Sequence, residues 1–487
     1  MRILLFILVL AFGGTSFAQS NIDWDPEIIV SDGLTYGNLR PRATLVNGDS
    51  PVVIYGKSGT ENLFISKWNG SSFNPPLSIL PSGTSSYIAD WTGPDIDSKG
   101  DTVIVVFKLE PMTTGHIYSV RSTDGGLSFS DTIRVNQFDS GIVWMPSMSI
   151  DASGNPVMAY MLHDNFSWAN PRYIFANSND AGQSYNSEME IVSSSPGEAC
   201  DCCHSEVIIE AQKQTLLFRN NDNNIRDIYG VLSLDGGTSF PYESGVDNLG
   251  WSLMGCPSTG PDGVYTGDDL LIAYASAAEG KYRVYLSLAS AASDLTFVSR
   301  TIMAPPALGN DTQNFPRISG VNDTIVMAWE EKDMGNKEIF CSVAIPGLDP
   351  VTSLTSFKEK ANATTSGTQT NPEVIYKNGI VHLFYSDNNS GSLIYRRGVV
   401  NVGLGVQEIF EKSLIFPNPS GNGKFKLSKN TEIKSIVSAL GSAVPYTKKL
   451  HSDASLEIEL TDPIKGVYFI TYSYNSGTQR IAKLMVN

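Results

Sequence analysis

Cys200, Cys202, Cys203 and His204 stand within five positions of a 487-residue chain that has only five cysteines. Thiols and an imidazole at this density suit two chemistries. Oxidised in pairs, the thiols would cross-link segments and restrict the unfolded chain. Kept reduced, they would hold a soft metal, Cu(I) or Zn²⁺, with His204 as a further ligand. No motif places a base beside them to make a catalytic thiol. A fourth cysteine, Cys256, follows in WSLMGCPSTGP, while Cys341 lies inside an apolar run and reads as a single buried thiol.

A second chemistry belongs to aromatic and charged residues. Trp91, Trp144, Trp168 and Trp251 sit in loop-like segments together with His163 and Arg226. Aromatic rings set among carboxylates and arginines are what a glycan site uses: the rings stack on sugar faces and the polar groups fix orientation. That composition needs no cofactor.

The N-terminus indicates the compartment. Arg2, the apolar run Ile3 to Phe12 and the small-x-small site Ser16-Phe17-Ala18 describe an export signal over 1–18, cleaved after Ala18. The run is too short to span a bilayer, so no transmembrane segment is expected. Export brings an oxidising setting in which disulfides persist. The formal net charge is −16, although residues 411–487 carry ten Lys/Arg against six Asp/Glu. The acidic remainder repels phosphate backbones, which argues against nucleic-acid partners.

The elements that must position these residues repeat. NLFISKW (62–68), HIYSVRS, RYIFANS, DIYGVLS, RVYLSLA, EIFCSVA and SLIYRRG start 54, 56, 55, 56, 55 and 54 residues apart. A constant period of this size marks an array of similar units. Each copy follows an apolar β-branched strand such as TVIVVFK, and before that a strand usually opened by Pro. Four short strands per unit, with almost no helical periodicity, predict an all-β propeller with seven blades over 19–405. A six-bladed ring is the alternative. PEIIVSDG (26–33) is expected to return as the outer strand of the last blade, beside 393–397.

Three units carry an octapeptide: STDGGLSF (122–129), SNDAGQSY (178–185) and SLDGGTSF (233–240). They resemble the Asp box of sialidase-type, or BNR-repeat, propellers. The resemblance implies that Asp124, Asp180 and Asp235 fasten turns on the face away from the ligand site. The segments IFPNPSGNGKFKLS, SALGSAV and KGVYFITYSYNSGTQRIAKLMVN (465–487) resemble the type A C-terminal sorting domain of the type IX secretion system. That implies a small β-sandwich at 415–487 after a linker at 406–414, handling by the type IX machinery, and a secreted or cell-surface product.

The sialidase resemblance also implies a catalytic set: an arginine triad clamping the sialate carboxylate, a Tyr–Glu nucleophile pair and an Asp acid/base. Guanidinium forks suit carboxylates. The family's Phe/Tyr-Arg-Ile-Pro motif is matched only loosely by NLRPRAT, which offers Arg40 or Arg42. Arg219 and Arg317 would complete the triad by location. Acids for another glycoside hydrolase or a lyase would come from Asp90, Asp164, Glu330 and Glu331, the first three also serving the sialidase reading. The expected ligand is an extracellular glycan or glycoprotein. The segments around 200–204 and 256 lead into neighbouring blades, so Cys256 is expected to meet Cys200, Cys202 or Cys203, with a second pairing such as vicinal Cys202–Cys203.

Overall fold

The computed structural model describes residues 22–31, 40–164, 167–185, 187–191, 195–344, 349–401, 415–427, 431–438, 442–451, 455–474 and 478–487. The expected export signal and linker lie outside these residues. The chain divides into two compact units, 1–401 and 402–487.

Among the described residues, the first unit holds seven antiparallel four-stranded sheets in chain order, and the fourth and seventh each gain one extra short strand. The first strands are Arg42–Val46, Asp95–Lys99, Ile142–Ile150, Glu206–Glu210, Asp262–Thr266, Gln313–Val321 and Gln369–Lys377. Each pairs with an apolar second strand, of which Thr102–Lys108 is typical: Val103 to Phe107 have no solvent exposure. Such a run, apolar on both faces, must be covered on both sides. Tight turns make the reversals. Asn378 and Gly379, with φ of 51° and 83°, form a two-residue hairpin turn between Lys377 and Ile380.

Seven apolar cores fill the spaces between consecutive sheets. The last lies between sheets seven and one, where Val30, Ala43, Val53, Tyr55, Phe384, Leu393 and Tyr395 meet. The first strands pack side by side in chain order, and that of sheet seven returns beside that of sheet one. The architecture is a β-propeller. As the sequence suggests, the N-terminal segment completes the last sheet: Ile28 pairs with Tyr395 and Ile29 with Ile394, and Ile22–Trp24 extends the same edge.

The octapeptides turn from third to fourth strands, at the opposite end of the sheets from the segments leading into the first strands. Asp180 accepts from the backbone N–H of Gln183 and Ser184 and from the hydroxyls of Ser178 and Ser184. Asp124 and Asp235 repeat the arrangement, and these bonds hold all three carboxyls below the usual range. Gly182 has φ 81°, and a Cβ there would lie 2.8 Å from Ile104 Cδ1 of the preceding sheet. The aromatic residue of each octapeptide reaches into the core shared with that preceding sheet; Phe240 lies 4.6 Å from Phe175, centroid to centroid.

The second unit pairs two sheets around one core. One comprises Ile415–Phe416, Lys424–Leu427, Leu456–Leu460 and Tyr446–Leu450, and the other Thr431–Ser438, Gly466–Tyr474 and Thr478–Val486. Phe425, Ile436, Ile458, Ile470 and Leu484 fill the space between them. No helix among the described residues is long and apolar enough to cross a membrane.

Candidate functional site

One position in each first strand builds a charged collar. These are Arg42, Asp95, Ser147, Glu206, Asp262, Arg317 and Glu373, in six of the seven directly after a proline. Seven adjacent strands bring these positions together around a polar channel of about 390 Å³. Arg317 is the hub, lying 2.9 Å from Glu206, 3.3 Å from Asp262 and 2.9 Å from Glu373. Arg42 reaches Glu373 at 3.4 Å. Asp95 and Asp262 each bind the next strand as well, accepting from Met148 N–H at 2.9 Å and Ile318 N–H at 2.8 Å. Burial works against the Arg317 charge, but the surrounding carboxylates hold it more firmly protonated than usual. Burial pushes Glu206 and Glu373 up, against the pull of the arginines.

The loop 87–93 lies over this collar. His204 Nδ1 meets the Trp91 carbonyl at 3.0 Å, and Arg40 donates to the Pro94 carbonyl at 2.7 Å. Burial, with Arg40, Arg42 and Arg317 nearby, keeps His204 neutral. The same loop begins an aromatic cluster. Tyr87 and Trp91 lie 5.4 and 5.7 Å from Trp144, and Trp144 lies 5.2 Å from Trp168. His163 packs 5.1 Å under Trp168 and is driven neutral by burial. Trp144 is buried, whereas Tyr87, Trp91 and Trp168 keep partly exposed faces.

Two carboxyls at the mouth, Asp90 and Glu330, both feel the charge of Lys337. Burial raises Asp90 against the pull of Lys337. Burial and the Asp90 charge raise Glu330, although Lys337 Nζ sits 2.7 Å from Glu330 Oε1.

Several expected residues lie elsewhere. Arg219 does not join Arg42 and Arg317. Its guanidinium is fully buried, donates to the carbonyls of Thr259, Arg226 and Ala275, and stacks 5.0 Å from Trp251. Each of its three nitrogens is engaged by a carbonyl inside the fold, away from the collar; Arg40 is the third arginine whose charge is felt by the other two. Trp251 is 3% exposed and packs edge-on against Tyr282, outside the aromatic cluster. Asp164 is held by Arg172 and Asn170 at 2.8 Å each, which keeps it ionised and unsuited to donate a proton. Arg226 turns inward to Cys200 Sγ at 3.4 Å.

The cysteines meet as the loop positions suggest. Cys202 and Cys256 form a disulfide between the segments leading into sheets four and five. The second contact is not vicinal: Cys203 Sγ lies 2.8 Å from Cys200 Sγ. His204 faces the collar rather than the sulfurs, and Cys202 and Cys256 are committed to their disulfide, so the expected metal set of four cysteines and His204 loses three donors. Cys341 is buried in the strand Asn336–Ala344.

Sequence reasoning missed the collar carboxylates Asp95, Glu206, Asp262 and Glu373, together with Lys337. The signal was present: aligned by the repeat, the collar position of each first strand reads Arg, Asp, Ser, Glu, Asp, Arg, Glu, and a proline precedes it in all but the fourth.

No curated protein sequence matches this chain. Similar solved structures include a protein of unknown function from Dyadobacter fermentans, at 11% identity over 78% of this chain and 99% of that one, TM-score 0.46. The alpha-L-arabinanase of Penicillium chrysogenum, complexed with arabinobiose, shares 10% identity over 78% and 98%, TM-score 0.44. The NanB sialidase of Streptococcus pneumoniae shares 8% over 72% and 83%, TM-score 0.43. Residues 414–487 match the family described as secretion system C-terminal sorting domain. The C-terminal unit is therefore a sorting domain of the type IX system, and the chain is destined for the cell surface or the extracellular space.

Proposed function

We propose that the chain is an exported seven-bladed propeller that recognises an extracellular glycan at its channel mouth. Seven inter-sheet cores and the return of the N-terminal strand support the blade count, and the three octapeptides act as Asp boxes fastening the opposite face. The observation that carries the glycan reading is the continuous aromatic cluster Tyr87–Trp91–Trp144–Trp168 beside a channel of arginines and carboxylates. Partly exposed indole faces offer stacking surfaces, and Asp90, Glu330 and Lys337 at the rim offer directed polar contacts. The test is a glycan array probed with the full-length chain and with Trp168→Ala. Retention of a defined set of glycans by the first and loss by the second is expected. If neither protein retained any glycan, the reading would fall.

A second reading, glycoside hydrolysis, is favoured by Asp90 and Glu330. Two neighbouring carboxyls raised by burial, with a lysine on one of them, can divide acid and base roles. A sialidase of the usual kind is disfavoured, because Glu373 already stands between Arg42 and Arg317 where a sialate carboxylate would be clamped. Glycan turnover by the wild type, lost in Glu330→Gln with binding retained, distinguishes enzyme from binder.

A further inference from the structure

The Cys202–Cys256 disulfide is half of a four-sulfur cluster. Beneath it lies Cys200-Asp201-Cys202-Cys203, in which Cys200 and Cys203 stand in C-x-x-C spacing and are both wholly buried. Cys200 Sγ is 2.8 Å from Cys203 Sγ and 3.7 Å from Cys202 Sγ. One buried sulfur therefore touches both its partner and the nearer half of the existing disulfide. A metal does not fit between the inner pair. Sulfurs bound at about 2.3 Å to one tetrahedral ion stand close to 3.8 Å apart, well beyond the observed contact.

We propose that the four sulfurs form a thiol–disulfide exchange centre, in which the inner pair Cys200/Cys203 trades its thiols for the disulfide of the outer pair Cys202/Cys256. The Cys200 thiolate attacks Cys202 Sγ, the Cys200–Cys202 bond forms, and the Cys202–Cys256 bond breaks to release the Cys256 thiolate. The exposed Cys256 thiolate takes from water the equivalent of the proton that Cys200 gave up on ionising, and Cys203, losing its own proton to solvent, attacks Cys200 Sγ. The Cys200–Cys203 bond forms and Cys202 leaves as a thiolate, which takes a proton from water. Two thiols and one disulfide stand on each side, so no external oxidant or reductant enters.

Groups for both ends of the first step are in place. The Arg226 guanidinium lies 3.4 Å from Cys200 Sγ and is itself 7% exposed, so its charge acts on the attacking sulfur with little screening. A hydrogen bond from Cys203, opposed by burial and aided by the Cys202 N–H, Arg219 and Arg226, lowers the Cys200 thiol. At the leaving end, Ser258 Oγ lies 3.0 Å from Cys256 Sγ and can donate to the departing thiolate, which favours its release. Cys256 is exposed. Exchange thus moves a cross-link from between two mouth loops to within one of them, and presents Cys256 to disulfide- or thiol-bearing molecules outside.

The test uses the full-length protein, brought with a limiting phosphine to one disulfide and two thiols at the cluster, then acid-quenched, alkylated and mapped by mass spectrometry. Wild type is expected to give both the Cys202–Cys256 and the Cys200–Cys203 isomers. Cys203→Ser is expected to trap the intermediate, a Cys200–Cys202 disulfide with Cys256 alkylated. Ser258→Ala, a surface change outside the sulfur set, should give the wild-type products about three- to tenfold more slowly. The proposal is overturned if Cys202–Cys256 is the sole disulfide in every protein mapped. It is overturned equally if the untreated protein carries a stoichiometric metal on free thiols.

Discussion

The two ends of the propeller carry carboxylates in phase with the same repeat and handle them in opposite ways. At the turn end, Asp124, Asp180 and Asp235 lie at or near the surface, each surrounded by N–H and O–H donors, and are held below the usual range. At the mouth end, Asp90, Asp97, Glu206, Glu330 and Glu373 are enclosed, and burial drives all of them up. The turn carboxylates are fully satisfied by their own octapeptides and have nothing left for a ligand. Glu206 and Glu373 depend on arginines from other sheets, Glu330 on Lys337 of the adjoining strand, and several atoms of the mouth carboxylates, such as Glu330 Oε2, have no hydrogen-bond partner. Satisfied charge marks a fastening, and strained, shared charge marks a site.

The largest effect that would break or sharpen this contrast is expected at Arg317. Arg317→Met leaves Glu206, Asp262 and Glu373 enclosed without their common cation. Breaking a buried ion network in this way costs about 3–5 kcal/mol. Thermal unfolding of the purified chain should show a large fall in Tm, partly recovered by adding Glu373→Gln, since the two sites share a partner. A fall no greater than that of a single turn aspartate would mean that the collar is not a linked network.

Next in size is the functional split between aromatic residues. Trp168→Ala should weaken glycan retention by roughly tenfold, the scale of one lost stacking partner, with a small change in Tm. Phe240→Ala, at the turn end, should do the reverse: it opens a void against Phe175 and lowers Tm while leaving retention intact. Titration of both variants against one retained glycan, alongside melting curves, checks the pair. A smaller loss is expected at the turns themselves. Asp180→Ala deletes four hydrogen bonds from a partly exposed turn, and a net cost of about 1–2 kcal/mol follows. Denaturant unfolding would measure it.

The contrast also explains what could be read from the chain alone. The turn end was legible because its chemistry is local. Ser178, Asp180, Gly182, Ser184 and Tyr185 lie within eight positions and bond one another, so a pattern of residue types suffices. The sheets were legible for the same reason, from apolar runs and a constant period. The mouth is assembled from residues far apart in sequence, and its signal is one position per repeat. Arg317 and Glu206 are 111 residues apart and meet because two strands of different sheets share the channel. Arg219 was misassigned because location near the mouth does not say which way a side chain turns. The carbonyls of Thr259 and Ala275, which satisfy it, become neighbours only after sheets four and five pack. The cysteine loops fall between these extremes: adjacency of their sheets brings Cys256 to the cluster, but only the turn at 200–203 decides that Cys203 meets Cys200 and not Cys202.

The finest consequence is a pH dependence of opposite sign at the two ends. Asp97, one inward-facing step below Asp95, is raised to about 6, chiefly by burial, despite accepting the N–H groups of Ile150 and Ser98. Because its folded pKa lies above the unfolded value of about 4, its stabilising contribution is complete below pH ~4 and is lost as pH rises through about 6. Asp180, lowered to about 2 by the hydroxyls of Ser184 and Ser178 and by backbone N–H groups, runs the other way. Its contribution is complete above pH ~4 and is lost as pH falls towards 2. Unfolding free energies measured between pH 3 and pH 7 should therefore respond differently to two conservative changes. Asp97→Asn should flatten the decline between pH 4 and 6 and leave the acid limb alone. Asp180→Asn should flatten the acid limb and leave the slope above pH 4 alone. An Asp97→Asn variant with the wild-type slope from pH 4 to 6 would show that the channel admits enough water to restore ordinary titration, and the distinction between the two ends would then rest on hydrogen bonding alone.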